Sequence, residues 1–467
     1  MSGLFGIFDI GKLAMQANQK AISVTSNNIA NVNTPGYSRQ EAIFETTPSE
    51  QTGAGPIGTG VQIGQIRQMV DKFLEGQIQS ENSSLGGYQV DQNTLSRLES
   101  IFNDSQGTGL QQALGGFFSS LQDLANKPQG LTERTMVLSK AQILSQQFAN
   151  AWSQMQDIRN NLNSDVAGTI NTVNSLAARI AELNGRISQT EITGQQANDL
   201  RDQRGRLLNE LADKIDISTF ENSQGQMTVM ITGGKPLVEG IRTNAIQGAV
   251  NPGNSGFLNI EFVPANGTPV DITSSIAGGR LKGLLDMRDN VVPGFMTQLD
   301  QLASAVITEV NLQHQAGFDL NGNAGGNFFA PTAPGASAAG TMAVAIAAPN
   351  LIAASSTAAG VPGDNGNALL LAQLQNKSVA ALGSATFQDF YGNFAGQIGT
   401  QAQSAQWNLS AQKGMMQQLS ARRESFSGVS LDEEMTNLMQ YQRAFQASAR
   451  LITSADEMMQ TLLDMKR

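Results

Sequence analysis

The sequence has 467 residues, which is enough for about three domains, and only 15% of them are charged. Its 29 Lys and Arg against 39 Asp and Glu give a net charge of -10, which argues against binding to nucleic acid through basic patches. The absence of Cys and the presence of one His exclude disulfides, thiolate metal sites and most imidazole chemistry.

The N-terminal region is predicted to be one amphipathic helix. Its apolar side chains recur every seven residues, at Phe8, Met15, Ile22 and Ile29. We expect the helix to end near Val32, because the following Asn33, Thr34, Pro35 and Gly36 place Pro and Gly at the centre of a type II turn. The next stretch, residues 48–64, is rich in Gly and is expected to be irregular.

The same N-terminal region lacks the basic start and the continuous apolar run of a secretory signal. The most apolar stretch of the chain, residues 341–354, is short and is broken by Pro349, so it does not predict a transmembrane helix. We therefore expect no contact with a membrane, and, if the protein is exported, a route that leaves no cleaved signal.

The middle of the chain changes from a helical to a β pattern. Residues 88–215 have helical spacing, the longest helix is predicted over 131–192, and Gly194 precedes a returning helix. Residues 216–276 alternate as strands do, with a turn at Gly233 and Gly234, and predict a small β-rich insertion.

The remainder of the chain is mostly helical in pattern. A helix is predicted over 281–315, an Ala/Gly/Pro-rich irregular segment over 321–366, and helices from 367 to the end. The last forty residues carry the most regular stripe, with Leu431, Leu438, Phe445, Ile452 and Met459 seven apart. Periodicity alone leaves open whether this stripe packs on the same chain or on a partner.

Four patterns that could carry chemistry are better explained structurally. The dinucleotide-like glycines of residues 53–58 have no strand before them and no helix after them. Residues 319–323 resemble a calcium loop but lack its Gly and its bidentate Glu, so we expect a solvated Asx turn. His314 has no catalytic partners in the sequence, and Asp432, Glu433 and Glu434 are interpreted as acids that cap a helix. We expect no catalytic residue, no metal and no cofactor.

Both ends of the chain resemble one family. Residues 26–39, after the amphipathic helix, resemble the signature of bacterial flagellar rod, hook and hook-associated proteins, and residues 431–458 resemble the matching C-terminal tail. Residues 278–288 and 313–322, together with the long central helix, resemble the hook-associated members at the junction of hook and filament. Within the signature, the turn comprises Asn31, Asn33, Thr34, Pro35, Gly36, Tyr37 and Arg39.

The resemblance implies a structural, non-enzymatic subunit that leaves the cell through the flagellar type III apparatus and becomes part of the extracellular flagellum. It implies that both ends pair in a coiled coil and that the chain assembles with itself in a helical ring. The other implied partners are the hook protein below, a second hook-associated protein above, and an export chaperone on the C-terminal helix. The expected assembly residues are Phe8, Met15, Ile22, Ile29, Leu431, Leu438, Phe445, Ile452 and Met459.

The predicted fold is mainly α: a terminal coiled-coil domain, a long helical rod and an inserted β-rich domain, α+β overall and multidomain. The predicted boundaries are 1–45 with 428–467 for the coiled coil, 46–215 with 277–320 and 367–427 for the rod, 216–276 for the β-rich outer domain, and 321–366 for the irregular segment. Two other functions stay open, a type III secretion tip or translocator protein and an enzyme carried on a flagellar scaffold. A translocator needs a membrane-inserting segment, and an enzyme needs convergent carboxylates.

Overall fold

Helices make up most of the chain in the computed structural model, which describes residues 2–52, 55–103, 109–192 and 194–465. In chain order the helices are α1 (Ser2–Ala30), α2 (Lys72–Ile101), α3 (Leu110–Asn126), α4 (Leu131–Glu191), α5 (Asn198–Lys214), α6 (Gly279–Asp286), α7 (Val292–Gln315), α8 (Ala338–Thr341), α9 (Gly366–Gln373), α10 (Phe387–Ser427) and α11 (Leu431–Asp464). A π-helical segment, Met287–Val291, joins α6 to α7. None of the described helices is both long and apolar enough to cross a membrane.

The strands are short and antiparallel. They are β1 (Gln40–Thr46), β2 (Glu50–Thr52), β3 (Gly55–Ile57), β4 (Val61–Gln68), β5 (Ile217–Glu221), β6 (Met227–Ile231), β7 (Lys235–Glu239), β8 (Arg242–Thr243), β9 (Ala245–Val250), β10 (Leu258–Val263) and β11 (Val270–Asp271). They pair as β1-β4, β2-β3, β5-β6-β7-β8 and β11-β10-β9. The predicted mainly α fold with an inserted β-rich region is confirmed.

The long central helix follows its predicted bounds closely. α4 runs over 61 residues, and α5 returns beside it after Gly194, whose φ of +80° is the left-handed conformation that favours glycine. The heptad spacing of α4 buries one stripe along most of its length, because neighbouring helices cover that face. The result is a rod in which α2 to α7, α9 and α10 share one apolar core.

The β-rich insertion is joined to this rod by asparagines of α4. Asn184 Nδ2 donates to the carbonyl oxygens of Met227 and Gly240, both at 2.7 Å. Asn174 exchanges two hydrogen bonds with the backbone of Ile246, in the way a neighbouring strand would. These amides satisfy strand edges that would otherwise lack partners, so the insertion lies against α4.

The interpretation of residues 48–64 as irregular is wrong. β1 and β4 form a ladder from Gln40 and Gln68 to Thr46 and Val61, and β2 and β3 extend it as a short hairpin. β1 also crosses the predicted boundary at residue 45. The dinucleotide-like pattern falls partly on Gly53 and Ala54, which lie outside the described residues, and most of its remainder is strand β3.

The Ala/Gly/Pro-rich segment is irregular, as predicted, but it is packed into the rod. Asn311 of α7 accepts hydrogen bonds from the backbone nitrogens of Phe328 and Phe329 and donates to the Phe329 carbonyl oxygen, and both rings are fully buried. Asp319 forms the predicted Asx turn with the backbone of Asn321 and Asn323. The turn is solvated only in part, because Asn321 and Asn323 are exposed whereas Asp319 itself is buried.

His314 holds the irregular segment in place. The side chain lies on α7, as expected, and is completely buried. Its Nε2 accepts from the Ala353 nitrogen at 2.8 Å, which leaves Nδ1–H to donate to the Gly326 carbonyl oxygen at 2.8 Å. Burial lowers the pKa of the imidazole, so the ring is held neutral.

Candidate assembly surface and terminal junction

The two ends of the chain pack against each other as antiparallel helices. Near the start of α1, Gly11 faces Ser448 and Ile452 of α11, and near its end Asn28 contacts Glu434. Between these points Tyr441 packs against the small apolar cluster of Ala21, Val24 and Ala42. The two terminal helices, α1 and α11, are therefore paired within one chain.

α11 leaves most of its apolar surface uncovered. Of its 34 residues, only Glu434 and Ala455 are buried. The contact with α1 runs along Glu434, Tyr441 and Ser448, which are seven residues apart. The large apolar side chains that stay exposed in the C-terminal segment are Leu431, Met435, Met439, Leu451, Met458, Leu462, Leu463 and Met465.

The predicted assembly residues lie beside the contact line between α1 and α11. Phe8 and Leu431 are exposed, whereas Met15, Ile22, Ile29, Leu438, Phe445, Ile452 and Met459 are half-buried. Sequence reasoning did not place the more exposed Met439 and Met458 on the apolar stripe. Their signal in the sequence is weak, because they do not continue the seven-residue spacing of the stripe.

The signature turn has the predicted backbone geometry. Gly36 has a φ of +77°, and the Tyr37 nitrogen donates to the Thr34 carbonyl oxygen at 3.1 Å, as a type II turn with Pro35 and Gly36 at its centre requires. The Thr34 hydroxyl donates to Asn31 Oδ1 at 3.0 Å, which ties the turn to the end of α1. Asn33 lies exposed on the outer side of the turn.

Asn28 connects the signature to both terminal helices. Its Oδ1 accepts from the Tyr37 hydroxyl at 2.8 Å and from the Gln40 nitrogen at 3.0 Å. Its Nδ2 donates to the Gln40 carbonyl oxygen at 2.9 Å and to Glu434 Oε2 at 3.0 Å. The buried amide thus uses all of its hydrogen-bonding capacity, and sequence reasoning did not single it out.

Arg39 binds two of the acids that sequence reasoning interpreted as caps. Its Nε donates to Glu434 Oε1 and its Nη1 to Glu433 Oε2, both at 2.8 Å. The interpretation of Asp432, Glu433 and Glu434 as capping acids is therefore incomplete. The N-cap of α11 is Ser430, and Glu434 is 2% exposed because the signature segment covers it. The sequence could not show this pairing, because Arg39 and Glu434 are 395 residues apart in the chain.

A second set of contacts attaches the signature to the rod. The Ser38 nitrogen donates to Asp202 Oδ2 at 3.0 Å, and Arg206 Nη1 of α5 donates to the Pro35 carbonyl oxygen at 2.9 Å. The Arg39 nitrogen donates to the Ser427 carbonyl oxygen at the end of α10. Burial raises the pKa of Asp202 to about 6, against the opposing effect of the Ser38 hydrogen bonds and of Arg423.

Tyr37 lies between the two sets of contacts. Burial, followed by the carboxylates of Asp199, Asp202 and Glu434, raises the pKa of its hydroxyl. The hydroxyl therefore stays protonated and acts as a donor to Asn28. The signature segment joins α1, α5, α10 and α11 at one point, which we call the terminal junction (residues 28 and 35–40 with 202 and 433–434).

A cavity of about 690 Å³ lies beside the terminal junction, between the signature turn, α2, α5, β5 and α10. Several of its charged groups form ion pairs, Arg201 with Glu191 and Glu221 and Arg423 with Glu75. Asp202 and Arg206 instead bond to the backbone of the signature segment. No cluster of three or more His, Asp or Glu among the described residues could hold a metal ion. The chemistry of this region is that of structural ion pairs.

Comparison with known proteins gives one consistent answer. A family model described as the flagellar hook-associated protein FlgK helical domain matches residues 95–329. The model of the flagella basal body rod protein matches residues 8–37, and that of the flagellar basal body rod FlgEFG protein C-terminal region matches residues 423–465. The two rod-protein matches therefore cover α1 with the signature turn, and α11.

Curated relatives match over nearly the whole chain. Flagellar hook-associated protein 1 of Bacillus subtilis is 31% identical and covers 99% of each chain. Flagellar hook-associated protein 1 of Escherichia coli is 24% identical, over 97% of this chain and 98% of the relative. The solved structure of the flagellar hook junction protein FlgK from Burkholderia pseudomallei shares the fold, with a TM-score of 0.68 and 18% identity over 75% of this chain and all of that one.

Proposed function

Because the chain belongs to the family of flagellar hook-associated protein 1, a structural component of the flagellar axis and not an enzyme, we propose that it forms the junction layer between hook and filament. In this proposal the subunits assemble with one another through α1 and α11 after type III export. The layer then presents one surface to the hook protein and another to a second hook-associated protein.

The uncovered face of α11 carries the proposal. A 34-residue helix that buries only two residues gains little stability from its own chain, so its exposed apolar side chains favour a role in contacts with other molecules. Covering eight half-exposed apolar side chains would contribute about 0.8 to 1.5 kcal/mol each, or roughly 6 to 12 kcal/mol per subunit. This attraction favours assembly, because every subunit of a ring repeats the contact.

The same face suits an export chaperone before assembly. An amphipathic helix with exposed Met and Leu side chains fits a hydrophobic groove, and a chaperone that occupied it would prevent premature association in the cell. The proposed order is chaperone binding to α11, export to the outside of the cell, and exchange of the chaperone for neighbouring subunits. The secretion tip or translocator alternative has no observation in its favour among the described residues.

The test is to image flagella of a strain that lacks its own copy of this gene and to repeat the imaging with the full chain restored. We expect hooks without filaments and flagellin in the medium when the chain is absent, and normal filaments when it is restored. Normal filaments in the deletion strain would refute the junction role. Failure of both hook and filament would instead place the chain below the hook.

A further inference from the structure

The apolar patterns of α1 and α11 do not by themselves define how the two helices align. Both repeat every seven residues, so moving one helix by a heptad returns apolar side chains to apolar positions. Such a slip would place Gly11 opposite Phe445 or Met459 in place of Ile452, and all three belong to the same stripe.

The covalent connection leaves room for a slip. Residues 31–39 join α1 to β1, and nine residues can span about 30 Å when extended. A slip of seven residues moves a helix by about 10.5 Å. The signature segment is therefore long enough to follow a slipped α1, provided that its hydrogen bonds in the terminal junction break.

The polar contacts of the terminal junction occur at one register only. Glu434 is the only charged residue of α11 that is buried, and in the observed register it meets Asn28 and Arg39. A slip by one heptad in one direction places Glu434 opposite Ala21, which offers no donor. A slip in the other direction places it beyond the end of α1.

We propose that Asn28, Arg39 and Glu434 act as positioning residues that select one register of α1 on α11 from alternatives one heptad away. The apolar stripes hold the two helices together in any of these registers. The buried carboxylate favours one register, because it keeps its hydrogen-bond partners in that register only. Register matters beyond the single chain, since it fixes which side chains the paired helices present on their uncovered face.

Disulfide trapping can read the register directly, because the chain contains no native Cys. In the purified full-length chain, Gly11→Cys is combined with Ile452→Cys to report the observed register. Gly11→Cys is combined with Phe445→Cys or Met459→Cys to report the two slipped registers. These two chains also carry Ile452→Ala, because the Ile452 side chain would otherwise crowd a Cys at residue 11. In the observed register the slipped pairs lie a heptad apart and are out of disulfide reach.

With Glu434 in place, we expect the Ile452 pair to form faster than either slipped pair by about tenfold or more. With Glu434→Leu, helix content by circular dichroism should be kept, since an apolar side chain suits the site, while the preference should fall to about threefold or less. Glu433→Leu is the matched control. It removes an exposed partner of the same Arg39, and the preference should remain.

Three outcomes would overturn the proposal. One is equal trapping of all three pairs with Glu434 present, and another is an unchanged preference in the Glu434→Leu chain. The third is an equal loss in the Glu433→Leu control, which would assign the effect to exposed charge. None of these readouts depends on junction formation, so a failure here is distinct from a failure of the proposed function.

Discussion

Gly11 of α1 lies so close to Ile452 of α11 that a Cβ atom at residue 11 would come 2.8 Å from Ile452 Cγ1. The same atom would lie 3.2 Å from Leu451 Cδ2 and 3.5 Å from the Ser448 carbonyl oxygen. Gly11 is therefore a point of close approach between the two terminal helices, and its missing side chain permits the contact.

We expect Gly11→Leu to separate α1 from α11, because a larger side chain at a close contact costs about 1 to 3 kcal/mol in strain and displacement. Amide exchange of α11 in the purified chain should become faster. The matched control is Gly6→Leu, because a Cβ atom at residue 6 would meet no neighbouring atom within 4 Å. Exchange that is unchanged in the Gly11 variant, or equally faster in the control, would contradict the contact.

The terminal pair is predicted to be less stable than the rod. α11 buries two residues, whereas α4 buries a stripe along most of its length, so α1 and α11 should open at a much lower free energy than α4. Hydrogen exchange of the full chain followed by peptide mass analysis would measure this. Protection of α11 equal to that of α4 in a verified monomer would mean that the ends need no neighbours.

His314 predicts a specific dependence of stability on acidity. Burial lowers its pKa in the folded chain, so the unfolded chain binds the proton more readily. The stabilisation from the neutral ring is complete above the ordinary pKa of 6.5 and is lost as the pH falls below it. His314→Gln should cost about 1 to 3 kcal/mol at pH 8, with a smaller difference at pH 5.

Chemical denaturation of both chains at several pH values would check this, and no second His complicates the reading. A difference between the two chains that stays constant from pH 8 to 5 would show that the ring does not titrate as the structure requires.

Asp202 predicts the opposite dependence. Its pKa rises from 3.8 to about 6 on folding, so the folded chain holds the proton more tightly and loses stability as the pH increases from about 4 to 6. Asp202→Asn keeps an oxygen for the Ser38 nitrogen and removes the buried charge. The variant should gain up to about 3 kcal/mol relative to the parent across this interval. Chemical denaturation of both chains measures this. A difference in unfolding free energy between variant and parent that is the same at pH 4 and pH 7 would contradict the prediction.

Regular periodicity made the helices predictable. The heptad spacing of residues 131–192 runs without Pro, and α4 ends within one residue of the expected position. The ladder of β1 and β4 was missed because the two strands are separated by a Gly-rich stretch and pair across a long loop. The insertion over 216–276 was expected to lie outward, and whether it forms a separate domain stays a prediction, since Asn174 and Asn184 join it to α4.

The terminal junction was only partly predictable. The turn of Pro35 and Gly36 follows from local backbone preferences, so the sequence predicts it. The pairing of Arg39 with Glu434 depends on tertiary structure that places distant residues together. The seven-residue period of α11 is visible in the sequence. Which face of α11 the same chain covers depends on tertiary structure, so the sequence did not predict it. That face determines why Met439 is more exposed than Phe445.

The central claim is that the uncovered face of α11 is the surface through which subunits assemble, and Met439→Asp tests it most directly. Met439 is half exposed and lies away from the contact with α1, so a charge there should leave the folded chain unchanged. The matched control is Gln440→Asp, which adds the same charge to an exposed polar position next to it.

Electron microscopy of flagella from deletion strains that carry either variant gives the decisive measurement, with secretion of the chain into the medium followed alongside. We predict bare hooks and secreted, folded, unassembled chain for Met439→Asp, because each subunit of the ring would bury an unpaired carboxylate, and near-normal filaments for Gln440→Asp. Normal filaments on the Met439→Asp strain at native expression would contradict the claim.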